Sequence, residues 1–163
     1  MSAMDQVDRI LAQWRRERPE LDVGPMGLIG RLQRLARHLS REVERNLARH
    51  GLSGAGFDVL ATLRRAGAPH RLSAGDLLGT AMVTSGTLTS RLDGLEEAGL
   101  IAREPNPADG RGVLITLTPR GLALVEEAVA THVAQQHALV EALPADDRAA
   151  LEPLLRRWLS AFE

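Results

Sequence analysis

The chain has 163 residues, no cysteine and no lysine, and its 20 arginines nearly balance 21 acids at a net charge of −1. The missing thiols exclude disulfides, thiolate metal sites and thiol-based redox sensing. No apolar run approaches the roughly 18 residues of a membrane span, and acids and arginines stand where a secretory signal needs an apolar core, so a cytoplasmic protein is expected with no membrane partner.

The elements predicted in chain order are mostly helical. Val7, Ile10, Leu11 and Trp14 repeat at helical spacing within a short helix over 4–18, which Pro19 ends. Residues 20–25 read as a linker. A longer helix follows over 26–50, with Leu28, Leu32, Leu35, Leu39, Val43 and Leu47 on one face and Arg31, Arg34, Arg41, Arg45 and Arg49 off it; Gly51 is a natural stop. Ser53 can cap the next helix, which buries Phe57, Leu60 and Ala61 and closes at Gly67. After Pro69 the segment 70–72 is extended.

Ser73 and Asp76 then form a capping pattern that opens a short helix through Leu77 and Leu78. A turn over 79–83 leads to a second helix over 84–98, stopped by Gly99. Two compact helices joined by a short glycine-containing turn form the helix-turn-helix pattern. Two extended runs follow, 100–104 and 113–117, around the turn-rich tip 105–112, and a hairpin in that place is a wing. Thr118-Pro119 starts a helix running to about Leu143. Pro144 breaks it, and a final helix covers 146–162, with Pro153 expected to kink or split it.

Charge is unevenly spread. From Leu28 to His50 six arginines face two glutamates, whereas from Leu122 onward seven acids face three arginines. Between Arg71 and Gly121 five arginines meet six acids. That stretch is not basic, so any grip on DNA depends on where its few arginines point and on helix ends.

The second helix of the pair is the expected reader. Leu88, Leu92 and Leu95 make one buried stripe, leaving Ser85, Gly86, Thr89, Ser90 and Asp93 opposite. That face is small and polar, so the helix can sit deep in a major groove. The expected DNA contacts are Ser73, Thr84, Ser85, Gly86, Thr87, Thr89, Ser90 and Arg111. At the wing, Asp109 and Gly110 precede Arg111, whose flanking glycines leave a slim backbone that lets its guanidinium reach a narrow minor groove. An ordinary Asp-Gly hairpin with a solvated arginine is the alternative there.

With these motifs the chain resembles the MarR family of transcriptional regulators over nearly its whole length. The likeness is carried by Gly51-Leu52-Ser53 before Phe57-Asp58-Val59-Leu60, by VTSGTLTSRLDGLEEAGLIAR over 83–103, by Asp109 and Arg111, and by Leu117-Thr118-Pro119-Arg120-Gly121. The wing tip departs from the family pattern, with glycines where further basic residues are usual. The resemblance implies a homodimer formed by the N- and C-terminal helices, bound to a pseudo-palindromic duplex DNA operator and released by a small anionic or phenolic effector. The expected fold is mainly α with a small β-wing: a dimerisation segment over 1–50, a winged helix-turn-helix over 51–121, and C-terminal dimerisation helices over 122–163.

Arg91 sits on the flank of the buried stripe, where an arginine needs an acidic partner. Asp58 and Arg65, seven apart on one helix, share a face. Asp58, Arg65 and Arg91 are expected to converge between the reading and dimer lobes with Trp14 as a lid, either as an effector site or as a structural ion-pair network. The set resembles the urate-responsive branch of the MarR family, which has an added N-terminal helix, and Arg103 fits that pattern too. An anionic planar ligand suits arginines and an aromatic face.

Nothing points to catalysis, a cofactor or a metal. His38, His50, His70, His132 and His137 are scattered, and no nucleophile-base pair or phosphate-cradling loop is readable. The leading reading is therefore a ligand-responsive repressor, not an enzyme. The rival, favoured by the near-neutral reading lobe, is a helical interaction module whose winged helix binds a protein. Salt-dependent duplex binding separates the two.

Overall fold

The computed structural model describes residues 4–80, 85–107 and 112–163, with side chains described from residue 88 onward in the fifth helix. The helices are α1 (Gln6–Glu17), α2 (Gly24–Ala48), α3 (Gly54–Arg65), α4 (Ala74–Thr80), α5 (Ser85–Glu97), α6 (Pro119–Val140) and α7 (Ala145–Leu159). Three short strands, β1 (Arg71–Ser73), β2 (Ile101–Pro105) and β3 (Val113–Leu117), complete the elements. The chain divides within α2 into two compact units, Met1–Glu42 and Val43–Glu163. No described helix is long and apolar enough to cross a membrane.

In the first unit α1 lies against the first part of α2 around a small core of Val7, Leu11 and Val23. The Asp5 carboxylate accepts a hydrogen bond from the Asp8 amide at 2.8 Å, and the Asp8 carboxylate accepts one from the Asp5 amide at 3.0 Å, a reciprocal cap that fixes where α1 begins. The Arg31 guanidinium then holds both carboxylates, at 2.8 Å from Asp5 and 2.5 Å from Asp8. α2 starts two residues earlier than the predicted Met26: the Gly24 amide donates to the Asp22 carboxylate at 2.9 Å, and Pro25 is harmless in a first turn, where its missing N–H has no partner to lose.

These contacts make a pH-dependent joint. The Asp8 amide, and after it Arg31, hold the Asp5 carboxyl below its ordinary value of 3.8. Its stabilising contribution is therefore complete above that value and is lost as pH falls through the lower folded-state value. In a Trp158→Phe chain, Trp14 emission is expected to report loosening of α1 in this acid range, and Asp5→Asn should remove that transition. An unaltered acid limb in Asp5→Asn would disprove the assignment.

The second unit is built around α3. Ser53 caps it, its hydroxyl accepting from the Gly56 amide at 3.2 Å, and Val59, Leu60 and Leu63 are completely buried. Around them pack Leu77 of α4, Leu88, Leu92 and Leu95 of α5, Ile101 of β2, Ile115 and Leu117 of β3, and Val125 and Ala128 of α6. The first half of α6 thus shares one core with the helix-turn-helix. Thr118 caps α6 through the Gly121 amide at 3.0 Å, with Pro119 in the first turn as its sequence predicts.

The sheet has three strands, not the two of a simple hairpin, in the antiparallel order β1-β3-β2. The extended segment after Pro69 pairs with β3, Arg71 opposite Thr116 and Ser73 opposite Leu114. α7 runs unbroken through Pro153, which was expected to kink or split it. No residue of α7 is buried, so the carbonyl freed by the proline can turn to water.

Candidate nucleic-acid interface

α4 and α5 form the helix-turn-helix, and β2 with β3 forms the wing behind it. Ser73 begins α4: its hydroxyl accepts from the Asp76 amide at 3.1 Å and donates to the Asp76 carboxylate at 2.7 Å. Ser73 is half-buried and serves as this cap. On α5 the three leucines of the apolar stripe face the core, while Thr89, Ser90 and Asp93 are exposed. The backbone of Ser85, Gly86 and Thr87 is helical. Thr84, Asp109, Gly110 and Arg111 lie outside the described residues.

α5 stops in a turn that suits glycine. Gly99 adopts φ +68, a conformation that is costly for residues with a Cβ, and it lets the Leu100 amide donate to the Leu95 carbonyl at 2.9 Å. The chain then enters β2, which brings Arg103 back to α5. Its guanidinium meets Asp93 at 2.6 Å and Glu96 at 3.4 Å, and its own amide donates to Glu96 at 3.2 Å. Arg103 therefore braces the reading helix against the wing. Its partners escaped the sequence reading because Asp93 there is simply a member of the polar face of α5.

The remaining candidates for an effector site stand on α1, α3 and α5. Arg91 is exposed and lines a cavity of about 190 Å³ with Ser53, Gly56, Ser90 and Gly94. This places it beside the first turn of α3. Arg65 stands in the last turn, nine residues beyond Gly56, a separation of roughly 13 Å along a helix. Its guanidinium donates to the Thr80 carbonyl at 2.7 Å. The structure therefore brings Arg91 to the start of α3 and Arg65 to the end of α4, and does not gather the two. Asp58 is half-buried on α3. Trp14 belongs to the first unit, on α1, and is 41% exposed.

Two further ion pairs fix the frame: Arg64 of α3 with Glu126 of α6, and Arg71 of β1 with Glu104 of β2. Among the described residues no group of histidines and acids is arranged to hold a metal ion.

Residues 50–112 match the family model described as "MarR family". The chain is 41% identical over 152 residues to the HTH-type transcriptional regulator PecS of Dickeya dadantii, covering 93% of this chain and 92% of that protein. Among solved structures, a mutant MarR from Escherichia coli complexed with operator DNA is similar with a TM-score of 0.71 and 30% identity, over 90% of this chain and 97% of that one. BpsR of Bordetella bronchiseptica, whose DNA binding is regulated by 6-hydroxynicotinic acid, gives a TM-score of 0.70 at 30% identity, over 84% of this chain and 92% of that one.

Proposed function

The chain belongs to the MarR family of winged-helix transcriptional regulators, and from that premise we propose that it is a homodimeric, effector-responsive repressor of a pseudo-palindromic duplex operator. The observation that carries this is the reading helix itself. α5 buries a leucine stripe, leaves Thr89 and Ser90 exposed, and is braced by Arg103 against a β-wing. In this reading Ser73, Thr84, Ser85, Gly86, Thr87, Thr89 and Ser90 approach the major groove and its phosphates, while Asp109 and Gly110 set the wing from which Arg111 enters the minor groove. The operator-bound relative supports the same use of the fold.

The dimer is inferred from apolar surface that one chain leaves uncovered. Leu28 and Leu35 on α2 are 62% and 52% exposed, and Leu154 and Leu159 on α7 are 51% and 56% exposed. Contiguous apolar faces of this kind are normally covered by a partner. Two copies at a fixed spacing would supply the affinity that a near-neutral reading lobe lacks.

The effector we infer is a small anionic aromatic molecule, urate-like as in the branch this chain resembles. In this reading Arg91 receives it, and what supports this is that Arg91 is exposed and lines a cavity too small for a drug-sized ligand. Asp58, half-buried on α3, is the further contact in this reading. Arg65 and Arg103 are engaged by Thr80, Asp93 and Glu96, so their part is to pass the change on to α5. A relative regulated by 6-hydroxynicotinic acid supports an effector of this class.

The test is duplex binding by the full chain. Affinity should fall by orders of magnitude between 50 and 200 mM salt if several phosphates are contacted, since each displaces counterions. No duplex binding at low salt, with a protein partner recovered instead, would favour the interaction-module alternative. Urate titrated into the complex is expected to release DNA, and Arg91→Ala should raise the urate concentration for half-release at least tenfold. Release at an unchanged concentration would remove Arg91 from the effector site.

A further inference from the structure

α4 is too short to hold itself. It has seven residues, where isolated helices below about 12 residues are marginal in water. Leu77 is its only buried residue, and its last turn carries no basic side chain. Its N-terminal end is secured by Ser73. Its C-terminal end is secured from outside, by the Arg65 guanidinium on the Thr80 carbonyl, while the Thr80 hydroxyl turns back to the Asp76 carbonyl at 2.7 Å.

A cation at a helix C-terminus is favoured by the exposed carbonyl dipoles, and a charge-assisted hydrogen bond is stronger than a neutral one. Arg65 is well founded for this task, because it projects from the end of a deeply buried helix, five residues after Leu60 and two after Leu63. Only residues 81–84 separate Thr80 from the start of α5, a connection that reaches at most about 14–18 Å when extended. That reach limits how far the start of α5 can lie from Thr80.

We propose that Arg65 is a positioning residue for DNA recognition, which fixes the end of α4 and through it the presentation of α5 without itself touching DNA. This rests on the DNA-binding reading above and assigns Arg65 a role that reading leaves general. It distinguishes Arg65 from an arginine that grips phosphate: loss of a phosphate contact lowers the salt dependence of binding, whereas a misplaced helix lowers affinity at every salt concentration.

The experiment is a fluorescence anisotropy titration of the full-length chain from 50 to 200 mM salt, using a duplex enriched by the wild-type protein from a random-sequence pool. Arg65→Ala is expected to weaken binding about tenfold with an unchanged slope of log affinity against log salt. Arg65→Lys, which keeps a cation and a donor, should recover most of the loss. Amide hydrogen exchange over residues 74–80 should be faster in Arg65→Ala in the absence of DNA, with the thermal midpoint moving little. Unchanged affinity together with unchanged exchange overturns the proposal, and a slope shallower by about one unit makes Arg65 a phosphate contact instead. If the wild-type chain enriches no duplex, the DNA-binding reading falls and the proposal with it. If wild type binds and Arg65→Ala binds equally well, only the positioning role falls.

Discussion

Gly121→Ala is expected to lower the free energy of unfolding by about 3 kcal/mol, in the upper part of the range for overpacked sites. A Cβ at this position would lie 1.9 Å from the Leu100 carbonyl oxygen and 2.8 Å from its carbon. Both are backbone atoms, so no rotamer change relieves the clash. The close approach exists because α6 is tied to the start of the wing. The Thr118 amide donates to the Leu100 carbonyl at 3.1 Å, and the Thr118 hydroxyl donates to the Gly99 carbonyl at 2.8 Å. Moving α6 away would stretch these bonds and open the core at Val125, which is completely buried. Alanine's better helix propensity returns at most about 1 kcal/mol, which the clash outweighs.

Gly94→Ala is the matched control. It also lies within a helix, but a Cβ there meets nothing within 4 Å. Urea unfolding followed by circular dichroism should show Gly94→Ala neutral or slightly stabilised and Gly121→Ala clearly destabilised. Equal midpoints for the parent and Gly121→Ala would mean that α6 can slide off the wing at no cost.

Arg103→Ala should separate stability from recognition. Its carboxylate partners Asp93 and Glu96 have side chains 61% and 41% exposed. Ion pairs this open contribute only about 0.5–1 kcal/mol to folding, and the thermal midpoint should shift little. The effect on operator binding is expected to be larger, roughly tenfold to a hundredfold. Removing the guanidinium releases α5 from the wing and leaves two uncompensated carboxylates on the helix that must approach phosphate. Like charges brought together in that way oppose association. An operator affinity equal to wild type would show that neither the brace nor the freed charge matters. Arg103→Lys should restore part of the loss, since an ammonium can meet one carboxylate but lacks the planar fork that spans two.

Several features were legible because their causes are local. Ser53, Ser73 and Thr118 each cap a helix through an amide three residues ahead, so a short window of sequence contains both partners. The leucine stripe of α5 was visible for a related reason, since helical geometry alone puts Leu88, Leu92 and Leu95 on one face. β3 spans Val113–Leu117, the extended run predicted beside the turn-rich tip. The start of α2 was misread because Asp22 and Pro25 resemble linker residues until they are seen capping and opening the helix.

The sequence by itself thus determined the order of helices, the helix-turn-helix with its wing, and the side of the reading helix that faces the core. Only the tertiary structure decided what holds that helix in place. β1 pairs with residues more than 40 positions away, Arg65 finds Thr80 fifteen residues on, and Arg103 returns across a turn to Asp93 and Glu96. An arginine side chain has no periodicity or cap geometry to announce its partner. Its long flexible stem lets many acceptors compete, and the choice among them falls to the packing of α3, α5 and the wing around one core.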